Sequence, residues 1–269
     1  MLWLLGPGAR ILEFEMTAGP GLATRRAPSA LPPALGALAE LEFRLGDWAA
    51  AHAAAVEALR TARRWELDHE IRCGLTRVAV IEAGMGREQD CRSHASEALF
   101  LTEVAADWPL QALAGEALGL LELGLGRVDA AVERLEAVER ICRARPEARG
   151  YAVSWAADLA DALVRRGDHA GARRLVDSVE PTAALERARA MLAPRHAFGG
   201  LFKRALDLCA WSRQPFELGR TELCFGERLR HSCRSDEARP HLEAALGVFE
   251  ELGARPWAVR ARDELAAAA

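Results

Sequence analysis

The chain has 269 residues and a formal net charge of −4, with 51% hydrophobic and 28% charged residues, so it can bury a substantial core and is not a disordered polymer. Alanine, leucine, arginine and glutamate are abundant whereas aromatic residues make up 6%, a composition that favours helices over sheets. The arginines are spread among acids along the whole length. This pattern argues against a nucleic-acid-binding domain, which needs a clustered basic face.

Residues 1–33 are predicted to be an irregular lead-in or linker, because the stretch TAGPGLATRRAPSALPP is rich in Gly, Pro, Ala and Ser. The apolar run at the start has only four residues before Gly-Pro-Gly, which is too short for a signal-peptide core. No run approaches the roughly 18 apolar residues of a membrane span. The six cysteines show no CxxC spacing, as is typical of reduced thiols. We therefore expect a cytoplasmic protein with no membrane segment.

A Gly-x-Gly-Arg motif occurs twice, in EAGMGRE at 82–88 and in ELGLGRV at 122–128. Such glycines could cradle a phosphate or could end a helix. A dinucleotide-binding loop follows a strand, whereas helical sequence precedes these glycines, and the only lysine, Lys203, lacks Walker-loop spacing. The glycines instead belong to a series that recurs about every 40 residues, a period typical of stacked helix pairs. The series consists of Gly46, Gly86, Gly126 and Gly167.

Small residues flank each glycine at fixed offsets, as expected where two antiparallel helices cross closely. Seven residues before the glycine stand Ala39, Ala79, Gly119 and Ala160, and five residues after it stand Ala51, Cys91, Ala131 and Ala172. Eight residues before it stand Leu38, Val78, Leu118 and Leu159, which we expect to fill the core. A further copy with Cys233 at the turn follows an irregular pair broken around residues 194–200. Pro256 and Trp257 are predicted to begin a closing helix.

These offsets resemble tetratricopeptide (TPR) repeats, and the segments PFELGRTELCFGERLR (215–230) and ARPHLEAALGVFEELGARPWAVRARDELAA (238–267) resemble the last repeat of large ATP-binding LuxR-type regulators, the LAL or MalT-like kind. This resemblance implies a sensor arm. The family's ATPase domain has no counterpart, and its helix-turn-helix is expected beyond residue 269. We therefore expect an all-α chain of TPR-like antiparallel helix pairs stacked into a superhelix. Residues 34–255 form the array and residues 256–269 the closing helix, a stub before the missing DNA-binding domain.

Motifs for catalysis or metal binding are weak. Cys224, His231, Cys233 and His241 are the best zinc candidates, but they lack compact ligand pairs. No serine lies in a GxSxG elbow, and the carboxylates lie beside arginines at the spacing of solvated helices. We expect no enzyme activity, no cofactor and no metal. A degenerate enzyme domain is the third interpretation, after the two binding functions given below.

The first helix of each TPR-like pair is expected to line a concave groove, with side chains six and two residues before the turn pointing into it. The outer pairs place acids and bases there and the middle pairs place apolar or small residues, which would suit a peptide, a helix or a small effector. The alternative is that these i, i+4 pairs only support exposed helices. The candidate groove residues are Glu40, Arg44, Val80, Leu120, Asp161, Arg165, Glu227 and His231.

The sequence thus predicts a non-catalytic arm of a LuxR-type transcriptional regulator that binds a protein or a small-molecule effector, or associates with itself. No direct DNA binding is expected, because the recognition helix is absent and the charge is slightly negative. The alternative is a free-standing TPR-like adaptor protein with no link to transcription. A helix-turn-helix reading frame next to the gene would favour the regulator.

Overall fold

A computed structural model describes residues 29–145, 154–179 and 182–268, and within these ranges the chain forms thirteen helices and no strand. The helices are α1 (Leu31–Leu45), α2 (Trp48–Arg64), α3 (Asp68–Met85), α4 (Glu88–Val104), α5 (Trp108–Gly124), α6 (Val128–Arg143), α7 (Ser154–Arg166), α8 (His169–Asp177), α9 (Ala183–Leu192), α10 (Phe198–Ser212), α11 (Pro215–Arg230), α12 (Ser235–Leu252) and α13 (Arg255–Ala267). The all-α prediction is confirmed. No helix of the described part is long and apolar enough to cross a membrane.

In five of the six helix pairs, the turn uses a residue in the left-handed backbone region; the break of the irregular pair α9 and α10 does not. Gly46, Gly86, Gly126 and Gly167 have φ of 98°, 73°, 72° and 87°, and each follows a helix. Glycine adopts this conformation without the steric clash of a Cβ, which is why it ends helices so often. The prediction that the repeated glycines end helices is confirmed. In the last pair Cys233 occupies this position with φ of 59°.

A second series of left-handed residues lies between successive pairs. Glu66 and Ala106 each stand midway along the chain between two turn glycines, and Arg213 and Gly253 stand at equal separations before and after Cys233. The φ values of Glu66, Ala106, Arg213 and Gly253 are 51°, 53°, 52° and 72°. One helix with its turn therefore occupies half of the repeat, and the two halves end in the same backbone conformation.

The first helices of successive pairs form an inner layer. Successive helices contact each other along the series α1, α3, α5, α7, α9, α11 and α13. In addition, α11 contacts α1. The second helices, α2, α4, α6, α8, α10 and α12, pack against the first helix of their own pair. Because α1 meets α11, the inner layer closes on itself and its faces point toward a common interior.

The crossing positions are small and buried, as predicted. Ala39, Ala79 and Ala160 before the turns are fully buried, and so are Ala51, Cys91, Ala131 and Ala172 after them. A Cβ on Gly119 would lie 2.5 Å from Cδ2 of Leu135 in the facing helix, so a larger residue there would require Leu135 to move. Close helix contact accounts for the high alanine content.

One core prediction is wrong. Val78, Leu118 and Leu159 are buried, but Leu38 is 41% exposed. The three buried residues belong to the hydrophobic core, whereas no described helix precedes α1 to cover Leu38. The exposed stripe of α1 consists of Leu31, Leu38, Leu41 and Leu45.

The ends of the array differ slightly from the sequence boundaries. Helix α1 begins at Leu31, inside the predicted lead-in, with prolines in its first turn, where a missing N–H is tolerated. Most of the lead-in lies outside the described residues. The irregular pair is α9 and α10, and the break between them spans residues 193–197. Helix α13 has Pro256 in its first turn, as predicted.

Candidate functional site

Helix α7 presents three charged residues on one face toward the interior. Asp158, Asp161 and Arg165 are spaced i, i+3 and i+7, which places them on one side of a helix. Arg165 Nε donates to Asp161 Oδ1 over 2.5 Å. Asp161 is only 1% exposed, so its carboxylate is removed from solvent and needs further partners.

Helix α11 supplies those partners. Glu217, Arg220 and Glu227 share one face of this helix at spacings of three and seven residues. Arg220 Nη2 lies 2.6 Å from Asp158 Oδ1 and 3.3 Å from Asp161 Oδ2, and its Nη1 donates to Glu217 Oε1 over 3.1 Å. The guanidinium of Arg220 thereby joins α7 to α11.

Two more arginines complete the group from neighbouring inner helices. Arg187 of α9 donates through Nη1 to Glu217 Oε2. Arg260 of α13 donates through Nε to Glu227 Oε1 over 2.7 Å, and Arg165 Nη2 lies 3.9 Å from Glu227 Oε2. We call the four acids and four arginines the ionic cluster. Its members are Asp158, Asp161, Arg165, Arg187, Glu217, Arg220, Glu227 and Arg260.

The ionic cluster divides its acids electrostatically. Burial would raise the pKa of Asp161, but the guanidinium groups of Arg165 and Arg220 outweigh it and hold this pKa well below its usual range. The pKa of Glu217 is also lowered, because the guanidinium groups of Arg187 and Arg220 outweigh the effect of burial, which would raise it. Burial raises the pKa of Asp158, and the single strong contact with Arg220 does not offset it. Asp158 is therefore more easily protonated than Asp161.

Aromatic rings pack beside the ionic cluster and against one another. The Arg220 guanidinium lies 4.8 Å from the Trp257 ring and 5.5 Å from the Phe216 ring. Phe216 also contacts Trp48 with ring centroids 4.9 Å apart, which joins α11 to the first pair. We call this group the aromatic cluster. Its members are Phe43, Trp48, Phe216, Phe249 and Trp257.

The first glycine of each Gly-x-Gly makes room for a tryptophan of the aromatic cluster. A Cβ on Gly84 would lie 2.8 Å from Cη2 of Trp48, and a Cβ on Gly124 would lie 3.0 Å from Nε1 of Trp257. The second glycine of each motif is the turn residue. Gly86 additionally contacts Pro256 of α13. The two glycines of each motif are therefore required for different structural reasons, and neither forms part of a phosphate-binding loop.

The structure brings only some of the predicted groove residues together. Asp161, Arg165 and Glu227 meet in the ionic cluster. Glu40 and Arg44 pair with each other on α1 at 2.6 Å, and both are exposed. His231 is exposed at the end of α11 and lies beside Arg230.

The apolar candidates behave differently. Leu120 is 8% exposed and Val80 is half-buried, and both pack against the hydrophobic core. The aromatic cluster packs on the glycines two residues before the turns of the same pairs. The middle of the predicted groove is thus largely covered by the chain's own side chains.

Sequence reasoning missed Asp158, Arg187, Glu217, Arg220 and Arg260. The available signal was their helical spacing, since Glu217, Arg220 and Glu227 lie at i, i+3 and i+10 on one face of α11, much as Asp158, Asp161 and Arg165 share a face of α7. Charged residues at that spacing also occur on solvated faces, so the pattern alone does not reveal burial.

The zinc candidates take other roles. His241 pairs through Nδ1 with Glu222 at 2.6 Å, Cys224 is buried beside Arg165, and Cys233 is exposed at the turn. Within the three described ranges, no group of three or more His, Cys, Asp or Glu side chains could hold a metal ion.

No family model matches the sequence, and no curated protein matches it. The fold is similar to a solved structure of a Rap protein complexed with competence and sporulation factor, with a TM-score of 0.62 and 13% sequence identity over 96% of this chain and 82% of that chain. At this identity the similarity concerns the fold. The chain therefore has a TPR-like helical-repeat fold like that of this Rap protein.

Proposed function

We propose that this chain is a non-catalytic binding protein whose inner layer receives a peptide or a segment of a partner protein. The observation that carries the proposal is the ionic cluster, which gathers eight charged side chains from α7, α9, α11 and α13 on the inner faces of the array. Its outer members are accessible, since the side chains of Arg165, Glu227 and Arg260 are 17%, 14% and 18% exposed. Peptide-binding surfaces commonly combine such polar groups with neighbouring aromatic rings.

The fold similarity supports this proposal without deciding it. The similar structure is that of a Rap protein in complex with a factor, and binding that factor is a property of the Rap protein. The carboxylates of the ionic cluster are each held by an arginine, an arrangement that suits recognition and positioning rather than proton transfer. A small-molecule effector is the other ligand class that the same inner face could accept.

A selection of peptides from a displayed random library on the full chain tests the proposal. Selected peptides should slow hydrogen exchange in α7, α11 and α13, and should bind at least tenfold more weakly to an Arg165→Ala variant. Arg143→Ala is the matched control, because Arg143 pairs with Glu139 at i, i+4 on the second helix α6. Protection that maps to the second helices, or equal losses in both variants, would contradict an inner binding site.

We further propose, more specifically, that the chain is the sensor arm of a LuxR-type regulator. This rests on the resemblance of residues 215–230 and 238–267. The alternative remains a free-standing adaptor. Sequencing the neighbouring gene region distinguishes them, because the regulator requires a helix-turn-helix encoded in frame or immediately downstream. If deleting the gene for this chain leaves transcription from reporters of the neighbouring promoters unchanged, the adaptor is favoured.

A further inference from the structure

The arginines of the ionic cluster carry more hydrogen-bond donors than the cluster has partners for. Nε and Nη2 of Arg187, Nε of Arg220 and Nη1 of Arg260 are buried and have no acceptor, and the same holds for Nε1 of the adjacent Trp257. Among the described residues, no carboxylate oxygen of the cluster belongs to this unpartnered set. The imbalance is therefore one-sided, with surplus donors and no surplus acceptors.

Buried donors are rarely left unpaired, because each one loses its hydrogen bonds to water without gaining a partner. Guanidinium groups present their donors in a planar fork that fits a carboxylate with two parallel hydrogen bonds. Arg187 offers such a pair in Nε and Nη2. A planar, two-oxygen acceptor matches this pair better than a single carbonyl does.

The charge of the cluster is consistent with an added anion. Four arginines face four acids, so the cluster is neutral when all eight are charged. Burial raises the pKa of Asp158, so this acid takes up a proton more readily than Asp161 does, and its protonation would leave one positive charge in excess. A single negative group restores the balance.

We infer that the ionic cluster binds a carboxylate group of the partner segment, with Arg187, Arg220 and Arg260 as its donors. This inference rests on the proposed binding function and gives the chemistry of the bound group. Arg260 and Glu227 are partly exposed, and the Arg220 guanidinium lies 4.8 Å from the Trp257 ring, so an acceptor would reach the cluster from this side. Glu217 and Asp161 hold the guanidinium groups in place and stay outside the contact.

Arg228 provides an internal control. Its Nε is also buried without an acceptor, but its Nη2 donates to the backbone oxygen of Ala193 and its guanidinium lies over Phe198 at 5.4 Å. It is not part of the ionic cluster. If the anion bound nonspecifically to any buried arginine, the Nε–Hε signal of Arg228 would shift as well.

The test follows the arginine Nε–Hε signals of the full chain by NMR during titration at constant ionic strength. The probes are N-acetyl-leucine, which has a terminal carboxylate, N-acetyl-aspartic acid diamide lacking any free carboxylate, and N-acetyl-aspartate α-amide, which keeps only the side-chain carboxylate. We expect saturable shifts at Arg187 and Arg220 with the two carboxylate probes and none at Arg228. The stronger of the two carboxylate probes identifies a chain terminus or an acidic side chain as the source.

An Arg260→Lys variant should weaken this binding at least tenfold while keeping the charge beside Glu227. Arg187→Lys tests the contribution of the buried Nε and Nη2 of Arg187. If that variant does not fold, the result for Arg260→Lys decides the test. Absent or unsaturable shifts, equal shifts with the diamide, or tighter binding of inorganic phosphate would overturn the inference. Peptides that bind the inner face without needing a carboxylate would overturn it and leave the proposed function standing. Saturable carboxylate binding without any selected peptide would count against the proposed function instead.

Discussion

Gly119 and Leu135 face each other across the pair formed by α5 and α6, so closely that a Cβ on Gly119 would lie 2.5 Å from Cδ2 of Leu135. The last pair repeats the relationship, since a Cβ on Gly226 would lie 2.6 Å from Cδ2 of Leu242. The equivalent positions of the second pair hold Ala79 and Ala95. A smaller residue on one helix thus accompanies a larger one on its partner.

This relationship predicts that the effect of Gly119→Ala on the free energy of unfolding changes sign when Leu135 is also replaced. Gly119→Ala should destabilise the wild type by about 1–3 kcal/mol through overpacking. In a Leu135→Ala background the same change should stabilise by up to about 1 kcal/mol, because the clash is gone and alanine favours helix. Urea melts of the four proteins measure it. Gly247→Ala is the control, since nothing lies within 4 Å of a Cβ there and both backgrounds should gain alike.

The crossing of α5 and α6 also separates neighbouring alanines. Ala131 is fully buried, whereas Ala130 is half-buried. Ala131→Leu should cost about 1–3 kcal/mol by overpacking, and Ala130→Leu should stay within about 0.5 kcal/mol. Because both variants add leucine to the same helix, differences in helix propensity largely cancel in the urea midpoints. Equal midpoints would show that the helix faces are assigned incorrectly.

Backbone strain between pairs gives a third prediction. Ala106 has φ of 53°, whereas its exposed neighbour Ala105 has φ of −81°. Ala106→Gly should stabilise by about 0.5–1 kcal/mol, since glycine adopts the left-handed region without the Cβ clash. Ala105→Gly should destabilise by a similar amount. Thermal melts that shift in the same direction for both variants would contradict the assignment.

The ionic cluster gives a prediction on pH. The folded-state pKa values of Asp161 and Glu217 are lowered, so their contribution to stability is present above about pH 4 and is lost as the pH falls below that. Asp161→Asn should cost about 3–5 kcal/mol at pH 7 and flatten the acid dependence. Asp158→Asn should cost less, because burial raises the pKa of Asp158, so the folded state stabilises its charged form less than that of Asp161. Stability measured by urea at pH 3, 5 and 7 would show the reverse order if this assignment is wrong.

A histidine in the first half of the chain should contribute stability that is lost as the pH rises, opposite to the acids of the ionic cluster. The hydrogen bond from His94 Nδ1 to Glu82 Oε2, 2.8 Å long, raises the pKa of His94 although burial opposes it. The contribution of His94 is therefore complete below about pH 6.5 and lost as the pH rises through its raised folded-state pKa. His94→Gln should remove this loss between pH 6 and pH 8.5, while the exposed His231→Gln should leave it unchanged.

The repeat was predictable because glycine marks the left-handed turn within each of the first four pairs. The turns between pairs were not, since Glu66, Ala106 and Arg213 adopt the same conformation without glycine. No composition signal distinguishes such residues from helix interiors. Tertiary packing holds them in a conformation that their own preferences disfavour.

The candidate site was predictable only where both partners lay on one helix. The i, i+4 spacing of Asp161 and Arg165 was enough to place them together. Arg187, Arg220 and Arg260 reach the ionic cluster from three other helices, and their proximity depends on how the pairs rotate along the array. Exposed and buried charges share one spacing pattern, so burial had to come from the fold.

The contact between α11 and α1 changes how this array is expected to unfold. In an open array each repeat depends on its immediate neighbours, so an end can fray while the rest persists. Here Trp48 of the first pair packs against Phe216 of the sixth, and Gly46 contacts Leu252 and Pro215. Fraying at the first pair therefore also removes contacts from the last, which makes the two termini a single thermodynamic unit rather than two independent weak points.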